Sequence, residues 1–287
     1  MKIGIIGAGS IGIYLCYSLG KNGHSVTFYD TRKKVIEKKI SANINKINHF
    51  VNLNFKDKLC GQEDIVFVTT KSFDITPKLI DSLTECNVEV VFLQNGLLTS
   101  LNYKNKSHNF HFGTIYGIQS SMNSNDLLKM ELSNCSIAVV PGTNRKDLEV
   151  LSERQSHNSP DIIISDNASD LIYEKFARWI VISMLNLLTG SDLGQSLKKI
   201  SRQEIRKVLQ ELKIFLLSTV GYSLDINSVI EKIYSLPKNL VTSAYRDSIG
   251  RETNELLEES RFIISSMEKK GINALTMENW YRRINDR

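Results

Sequence analysis

The chain has 287 residues, of which 41% are apolar and 23% are charged, and its formal net charge is +5. This length allows two domains with separate cores, and the composition is that of an ordinary globular protein. A mild positive charge without a dense Lys/Arg block argues against nucleic-acid binding, and no apolar run reaches the roughly 20 residues that a membrane span needs. The four cysteines show no C-x-x-C spacing, which indicates reduced thiols in a cytoplasmic protein without a metal site.

Short β-branched runs alternate with amphipathic stretches in the first half of the chain. The predicted strands are Lys2–Ile6, Ser25–Tyr29, Asp64–Thr69, Glu89–Leu93, Phe110–Ile118, Cys135–Val140 and Asp161–Ser165. Helical patterns separate several of them, and the first of these patterns covers Ile11–Leu19. This alternation predicts a parallel sheet with crossover helices.

The pattern changes near Asn167, after which apolar residues recur at helical spacing with little strand signal. The predicted helices are Leu171–Leu188, Arg202–Val220, Asn254–Lys270 and Thr276–Ile284. The sequence therefore predicts an α/β Rossmann-type domain with a parallel-sheet core over residues 1–166, followed by an all-α domain over residues 167–287.

A G-x-G-x-x-G motif joins the first predicted strand to the first predicted helix. It consists of Gly7, Ala8, Gly9, Ser10, Ile11 and Gly12. Gly7 permits a tight turn, Gly9 lets the backbone approach a pyrophosphate, and Gly12 lets the helix pack closely on the strand. The phosphate would lie at the helix N-terminus, where free N–H groups and the helix dipole favour an anion. In this strand–turn–helix context the motif predicts bound NAD(H) or NADP(H).

The end of the second predicted strand gives conflicting signals about the cofactor. Asp30 follows Gly12 by 18 residues, and a carboxylate there accepts hydrogen bonds from the adenosine ribose, which favours NAD. Arg32 and two lysines come next, and cations at this place can hold the 2′-phosphate of NADP. Alternatively, these basic residues form the solvated first turn of a helix. The choice between NADP(H) and NAD(H) therefore stays open.

Two further strand ends carry candidate binding residues. Lys71 follows the strand Asp64–Thr69, and Asn95 and Gly96 follow Glu89–Leu93. Ligands of open α/β sheets bind beyond the carboxyl ends of the strands. Lys71 is therefore a candidate for a cofactor phosphate or ribose, and Asn95 for the nicotinamide end or the substrate. The alternative for the Asn-Gly pair is a simple tight turn.

Polar residues lie along one face of the first helix of the second half. Arg178, Ile182 and Asn186 have i, i+4, i+8 spacing, and Lys175 precedes Arg178 by one turn. Polar side chains in an otherwise apolar helix are costly unless they meet a cleft or polar partners. This stripe is a candidate site, and the alternative is a helix whose ends are polar.

Ser243, Asp247 and Glu255 lie near a predicted helix start. Taken alone, Ser243 is a helix cap and Glu255 an acidic residue that the helix dipole favours in a first turn.

Taken together, these motifs resemble the ketopantoate reductases (2-dehydropantoate 2-reductases) over essentially the whole chain. The motifs are G-A-G-S-I-G at 7–12, T-T-K at 69–71, Q-N-G at 94–96, G-T at 113–114, K-F-A-R-W-I-V-I-S-M-L-N-L-L-T at 175–189 and T-S-A-Y-R-D-S-I-G-R-E-T-N-E at 242–255. The resemblance implies a Rossmann domain followed by a helical domain, and a homodimer. It also implies NADPH-dependent reduction of 2-dehydropantoate to (R)-pantoate, in pantothenate and coenzyme A biosynthesis.

The resemblance assigns roles to individual residues. The strand-end Asn of the family matches Asn95, and its cofactor-side Lys matches Lys71. The substrate-binding Ser and Glu match Ser243 and Glu255, with the same spacing of twelve residues. In the family, an Arg that binds the cofactor usually follows the second strand. Here that position is Thr31, one residue before Arg32.

The helical motif departs from the family pattern. That pattern is K-x-x-x-N-x-x-x-N before a Leu-Thr pair, which places Asn186 on the second Asn and Ile182 on the first. The catalytic Lys position then falls on Arg178. Aligning Lys175 there instead would need about three extra residues within one helix and would disrupt its face, so Arg178 is favoured.

These assignments predict a mechanism in which a hydride passes from the nicotinamide to the C2 ketone. Arg178 would stabilise the charge on the ketone oxygen, but a guanidinium is a poor proton donor, so water or Lys175 would supply the proton. Glu255 would bind the substrate hydroxyl, and three residues would hold its carboxylate or hydroxyl: Asn95, Asn186 and Ser243. The alternatives are a reductase of another 2-keto acid and a non-catalytic NADP(H)-binding protein.

Overall fold

The computed structural model describes residues 1–29, 37–57, 59, 61–122, 127–154, 160–165, 167–248 and 254–286. The chain divides into two compact units. The sheet unit comprises Met1–Gln94 and Thr99–Ser169, and the helical unit comprises Asn95–Leu98 and Asp170–Arg287. A short segment from the first half of the chain thus belongs to the helical unit, which the sequence did not indicate.

The described strands of the sheet unit form a single mixed sheet. They are β1 (Lys2–Ile6), β2 (Ser25–Tyr29), β3 (Glu37–Ile44), β4 (Ile47–Lys56), β5 (Ile65–Val68), β6 (Glu89–Phe92), β7 (Phe110–Met122), β8 (Leu127–Val140) and β9 (Asp161–Ile164). Their order is β3-β4-β2-β1-β5-β6-β7-β8-β9, and β3 also pairs with β8, so the sheet closes on itself. The pairs β3–β4 and β7–β8 are antiparallel and the others are parallel. A Rossmann-type first part with parallel central strands is therefore confirmed, whereas the antiparallel pairs β3–β4 and β7–β8, which make the sheet mixed, were not predicted.

The central parallel strands are the most deeply buried part of this sheet. Every residue of β5 and of β6 is buried, as expected for parallel strands covered on both faces. For this reason β5 is a continuous apolar run, and β6 is apolar after its first residue, Glu89. The described helices that connect the strands are α1 (Ser10–Lys21), α2 (Pro77–Glu85), α3 (Leu98–Tyr103) and α4 (Lys146–Glu153). β1 pairs with β5, and β5 with β6, so the carboxyl ends of these strands lie at one edge.

The hairpin β3–β4 was not predicted. Its turn residues Asn45 and Lys46 have φ of 50° and 67°, a left-handed turn without the glycine that normally marks it. Alternate residues of the two strands are buried, namely Ile40, Ala42, Ile44, Val51, Leu53 and Phe55. The alternation of apolar and polar residues was therefore present in the sequence, but the intervening Asn and Lys residues have low β propensity, and the strands were not predicted.

The second half of the chain is helical in its described residues, as predicted. The helices are α5 (Ala168–Thr189), α6 (Leu193–Lys199), α7 (Arg202–Val220), α8 (Ile226–Ser235), α9 (Ser243–Ser248), α10 (Glu255–Glu268) and α11 (Leu275–Asn285). The bounds of α7 equal the predicted ones, because a Ser201–Glu204 capping box begins it and Gly221, with φ of 76°, ends it. Among the described residues, no helix has the length and apolar character to cross a membrane.

Candidate functional site

The glycine motif forms a tight turn between β1 and α1. Gly7 has φ of 111°, a conformation that favours glycine. A Cβ atom on Gly12 would lie 2.0 Å from the carbonyl oxygen of Gly7. Gly7 and Gly12 are therefore required by the packing of the turn itself. Ala8 and Ile11 pack against the apolar core of the sheet unit, and Ser10 begins the helix.

Gly9 lies on an open side of the same turn. A Cβ atom there would meet no protein atom within 4 Å, so packing does not require glycine at this position. The first helical hydrogen bond runs from the Ile13 N–H to the Gly9 carbonyl at 3.0 Å, which leaves the earlier N–H groups of α1 without helical partners. The first turn of α1 has no acidic residue. An open backbone, free N–H groups and the positive helix end together fit a dinucleotide phosphate.

The ends of β5 and β6 support the glycine turn. The Thr69 hydroxyl donates to the Gly7 carbonyl at 2.8 Å. The buried Gln94 amide donates to the Val68 and Thr70 carbonyls at 3.0 and 2.9 Å. Within the described part of the chain, the buried Thr70 Oγ1 and Gln94 Oε1 have no hydrogen-bond partner. The structure thus places two unsatisfied polar atoms at the strand ends.

Lys71 directly follows Thr69 and Thr70. It is half-buried at the start of a short 3₁₀ turn, Ser72–Asp74. Asp30 and Arg32 lie outside the described residues, so their predicted roles toward the adenosine ribose or the 2′-phosphate stay predictions.

In the helical unit, Arg178 belongs to a three-residue charge group. Its Nη1 lies 3.7 Å from Oε1 of Glu174, one turn earlier on α5. Both oxygens of that carboxylate bind Nζ of Lys232 on α8, each at 2.7 Å. Lys232 therefore neutralises Glu174, and the guanidinium is held only loosely. Lys175 is half-buried on the same helix.

Asn186 and Ile182 are both buried, with exposed fractions of 0% and 3%. The Asn186 amide donates to the Ser191 carbonyl at 2.9 Å and accepts from the Thr242 N–H at 3.0 Å. Both ends of this side chain thus bind backbone, and it fixes the residue that directly precedes Ser243. The sequence singled out Asn186 but did not indicate Thr242 as its partner.

Asn254 connects Ser243 and Glu255, although they are twelve residues apart. Its Nδ2 donates to the Ala244 carbonyl at 3.1 Å, and its Oδ1 accepts from the Leu256 N–H at 3.0 Å, which caps α10. Ser243 is the first residue of α9 and Glu255 the first of α10. The structure therefore joins the two helix starts that carry the predicted substrate-binding residues, with Asp247 also on α9.

Glu259 is a buried acid that the sequence did not indicate. Its side chain is 0% exposed, and Oε1 accepts from the Leu98 N–H at 2.9 Å. Burial raises the pKa of this carboxyl to about 8. A glutamate on an amphipathic helix is normally solvent-exposed, and only the placement of Asn95–Leu98 beside α10 reveals the burial. No group of three or more potential metal ligands occurs among the described residues.

These features define the class of the protein: a two-part fold with a Rossmann-type sheet, a glycine turn that fits a dinucleotide phosphate, and a helical second half. Residues 3–117 match the model of the family described as ketopantoate reductase PanE/ApbA. The resemblance drawn from the sequence motifs is therefore confirmed over these residues, which contain four of the six motifs, and the matching family is one of oxidoreductases. None of the curated proteins matches the chain by sequence.

Solved structures share the fold over the whole chain. D-mandelate dehydrogenase, in a ternary complex with NADH and anilino(oxo)acetate, has a TM-score of 0.83 and 19% identity, covering 100% of this chain and 98% of that one. A dimeric ketopantoate reductase from Staphylococcus aureus has a TM-score of 0.79 and 14% identity, covering 100% and 98%. A 2-dehydropantoate 2-reductase from Geobacter metallireducens GS-15 has a TM-score of 0.79 and 18% identity, covering 100% and 99%. At such identities the likeness establishes the fold.

Proposed function

We propose that the protein is a reductase of 2-oxo acids that uses a nicotinamide cofactor, with NADP(H) as the favoured form. The first candidate reaction is reduction of 2-dehydropantoate to (R)-pantoate in pantothenate and coenzyme A biosynthesis. The glycine turn carries the proposal, because Gly9 leaves the positive end of α1 open where a dinucleotide phosphate would bind. The segment that contains this turn also matches the reductase family.

The cofactor, when bound, supplies the hydride. The residues of the chain hold it, orient the ketone and stabilise the charge that develops on the ketone oxygen. Gly7–Gly12 would hold the pyrophosphate, and Lys71 and Asn95 would contact the ribose and nicotinamide side. Asp30 and Arg32 would set the preference between NAD(H) and NADP(H).

Arg178 would stabilise the negative charge that develops on the ketone oxygen of the substrate. Because Lys232 occupies both oxygens of Glu174, the guanidinium keeps donors for a carboxylate or for the ketone oxygen. Arginine matches the planar geometry of a carboxylate but is a weak acid. The proton would therefore come from water or from Lys175.

Ser243 and Glu255 would hold the carboxylate and the hydroxyl of the substrate. Asn186 was also predicted to contact the carboxylate or hydroxyl of the substrate directly. Since both ends of its amide bind backbone groups, we propose that it acts by fixing Thr242 and, through it, Ser243.

Ile182 favours a second candidate, a reductase of 2-oxo acids with an apolar side chain. This residue is buried one helical turn from Arg178, at a position where the resemblance predicts Asn. An apolar side chain provides no hydrogen bond for a substrate hydroxyl. D-mandelate dehydrogenase, which shares the fold, supports testing aromatic 2-oxo acids as well.

The proposed function is tested by following NADPH and NADH oxidation with 2-dehydropantoate, 2-oxoisovalerate and phenylglyoxylate. Turnover of at least one acid is expected, and loss of Arg178 in Arg178→Ala should lower kcat/KM by on the order of 10²-fold. Arg202→Ala is the matched control, because Arg202 is an exposed arginine of the same unit that pairs with Glu231.

Cofactor binding without turnover of any acid would favour the non-catalytic alternative. Binding of neither NADPH nor NADH would refute the proposal as a whole. We also propose a homodimer, since one relative of the same fold is dimeric; light scattering after size exclusion measures the mass directly.

A further inference from the structure

A carboxyl group lies completely buried against the segment Asn95–Leu98. Glu259 is 0% exposed, and its Oε1 accepts from the Leu98 N–H at 2.9 Å. The Leu97 N–H bonds to the same carboxyl. Oε2 has no hydrogen-bond partner within the described ranges. One side chain thus holds two consecutive backbone N–H groups just after Asn95.

Gly96 and Glu259 fit together so closely that any other residue at position 96 would displace the glutamate side chain. A Cβ atom on Gly96 would lie 1.8 Å from Oε1 and 2.4 Å from Cδ of Glu259. Gly96 is not among the glycines with positive φ, so its backbone conformation does not require glycine. The Asn95-Gly96 pair was open to interpretation as a simple tight turn. The structure gives a different reason for the glycine, because Glu259 occupies the space that a side chain at position 96 would fill.

Glu259 also lies one helical turn after Glu255, at the start of α10. The same helix turn therefore carries Glu255, which the proposed function assigns to the substrate, and the anchor of the segment that begins with Asn95. Both residues belong to the helical unit.

We propose that Glu259 is a positioning residue, whose carboxyl group anchors Asn95–Leu98 to the first turns of α10 and thereby fixes Asn95 relative to Glu255. The inference rests on the proposed function, because it gives Asn95 and Glu255 their roles toward cofactor and substrate. Glu259 itself would contact neither the cofactor nor the substrate.

The chemistry around Glu259 suits an anchor that is neutral. Burial raises its pKa to about 8, and the neighbouring carboxylates of Glu255 and Glu258 act in the same direction, while the Leu97 and Leu98 N–H groups oppose them. At neutral pH the side chain is a carboxylic acid whose carbonyl oxygen accepts from the backbone. A glutamine has the same shape and the same acceptor, whereas a leucine has the shape without the acceptor.

The kinetic test compares Glu259→Leu with Glu259→Gln in the full-length protein. The leucine variant should lower kcat for the 2-oxo acid by on the order of 10- to 100-fold, because displaced groups lose the productive geometry. Its Kd for NADPH, measured by fluorescence titration, should rise by less than about fivefold, a smaller effect than that on kcat, since Asn95 is displaced but the phosphate site at the glycine turn is kept. The glutamine variant should keep kcat within about threefold of the parent. An unchanged kcat in Glu259→Leu, or equal losses in both variants, would overturn the inference.

A double-mutant cycle tests the anchor without any activity. Gly96→Ala should lower the thermal midpoint by about 5 °C or more in the parent, and much less in the Glu259→Ala background, where the clashing side chain is gone. Gly20→Ala is the control, because a Cβ atom on Gly20 meets nothing within 4 Å.

Additive effects of the two substitutions on the thermal midpoint would refute the proposed anchoring by Glu259 while leaving the proposed function intact. A parent that reduces no 2-oxo acid would instead refute the proposed function and, with it, the positioning role, although the cycle would still report whether the two residues are coupled.

Discussion

Replacing Glu259 with glutamine should remove a pH dependence from the stability of the helical unit. Burial raises the pKa of this carboxyl from the ordinary 4.5 to about 8. Below about pH 4.5 the group is protonated in both states and has no effect. Between the two pKa values the unfolded chain loses the proton while the folded chain keeps it, so stability decreases as the pH rises.

The size of the effect follows from the proton balance. Each pH unit in this window lowers the free energy of unfolding by about 1.4 kcal/mol. Between pH 5.5 and pH 7.0 the parent should therefore lose about 2 kcal/mol that Glu259→Gln does not lose. Because the glutamine stays neutral, the variant should gain stability over the parent as the pH rises.

Urea unfolding followed by tryptophan fluorescence measures this difference in the correct part of the molecule. The chain has two tryptophans, Trp179 and Trp280, and both are buried in the helical unit. Glu268→Gln is the matched control, because it removes an exposed glutamate from the same helix. If parent and Glu259→Gln showed parallel stability curves from pH 5.5 to 7.0, the carboxyl would not be held neutral and the reasoning would fail.

Two further predictions concern the substrate and cofactor sites. Lys232→Ala should release the Glu174 carboxylate, which would then bind the Arg178 guanidinium and lower kcat/KM for the oxo acid by about fivefold. Arg202→Ala should leave kcat/KM unchanged, and an unchanged kcat/KM in Lys232→Ala would contradict the role of the lysine. Gly9→Ala should keep the unfolding midpoint of the parent but weaken NADPH binding by on the order of tenfold, whereas Gly12→Ala should destabilise the protein by about 1–3 kcal/mol. Thermal unfolding and NADPH titration measure the two effects. A destabilised Gly9→Ala with parental NADPH affinity, beside a Gly12→Ala of parental stability, would refute the roles given to the two glycines.

The sequence predicted the features that depend on local chemistry. The helix Arg202–Val220 was correct to the residue, because its capping box and terminal glycine are local signals. The glycine turn was recognised because its strand, turn and helix are contiguous. The hairpin β3–β4 was missed because its turn uses Asn45 and Lys46 in place of glycine.

The candidate site was predicted only in part, since its supporting contacts are long-range. Asn186 was identified, but the Thr242 N–H that it binds is 56 residues away. Glu259 looks like an ordinary helix-surface glutamate until Leu98 is placed beside it. No local pattern shows which of many glutamates will be buried, because burial is decided by tertiary packing.

The anchor at Glu259 also has a consequence for how the helical unit is assembled. Its carboxyl and the Leu98 N–H are separated by 161 residues, so a very large loop closes before this contact forms. Contacts of such sequence separation form slowly. A fragment made of residues 170–287 alone would contain the acid without its backbone donors, and would expose α10 where Asn95–Leu98 covers it. The helical unit is therefore not a module that can be separated at a single cut in the chain.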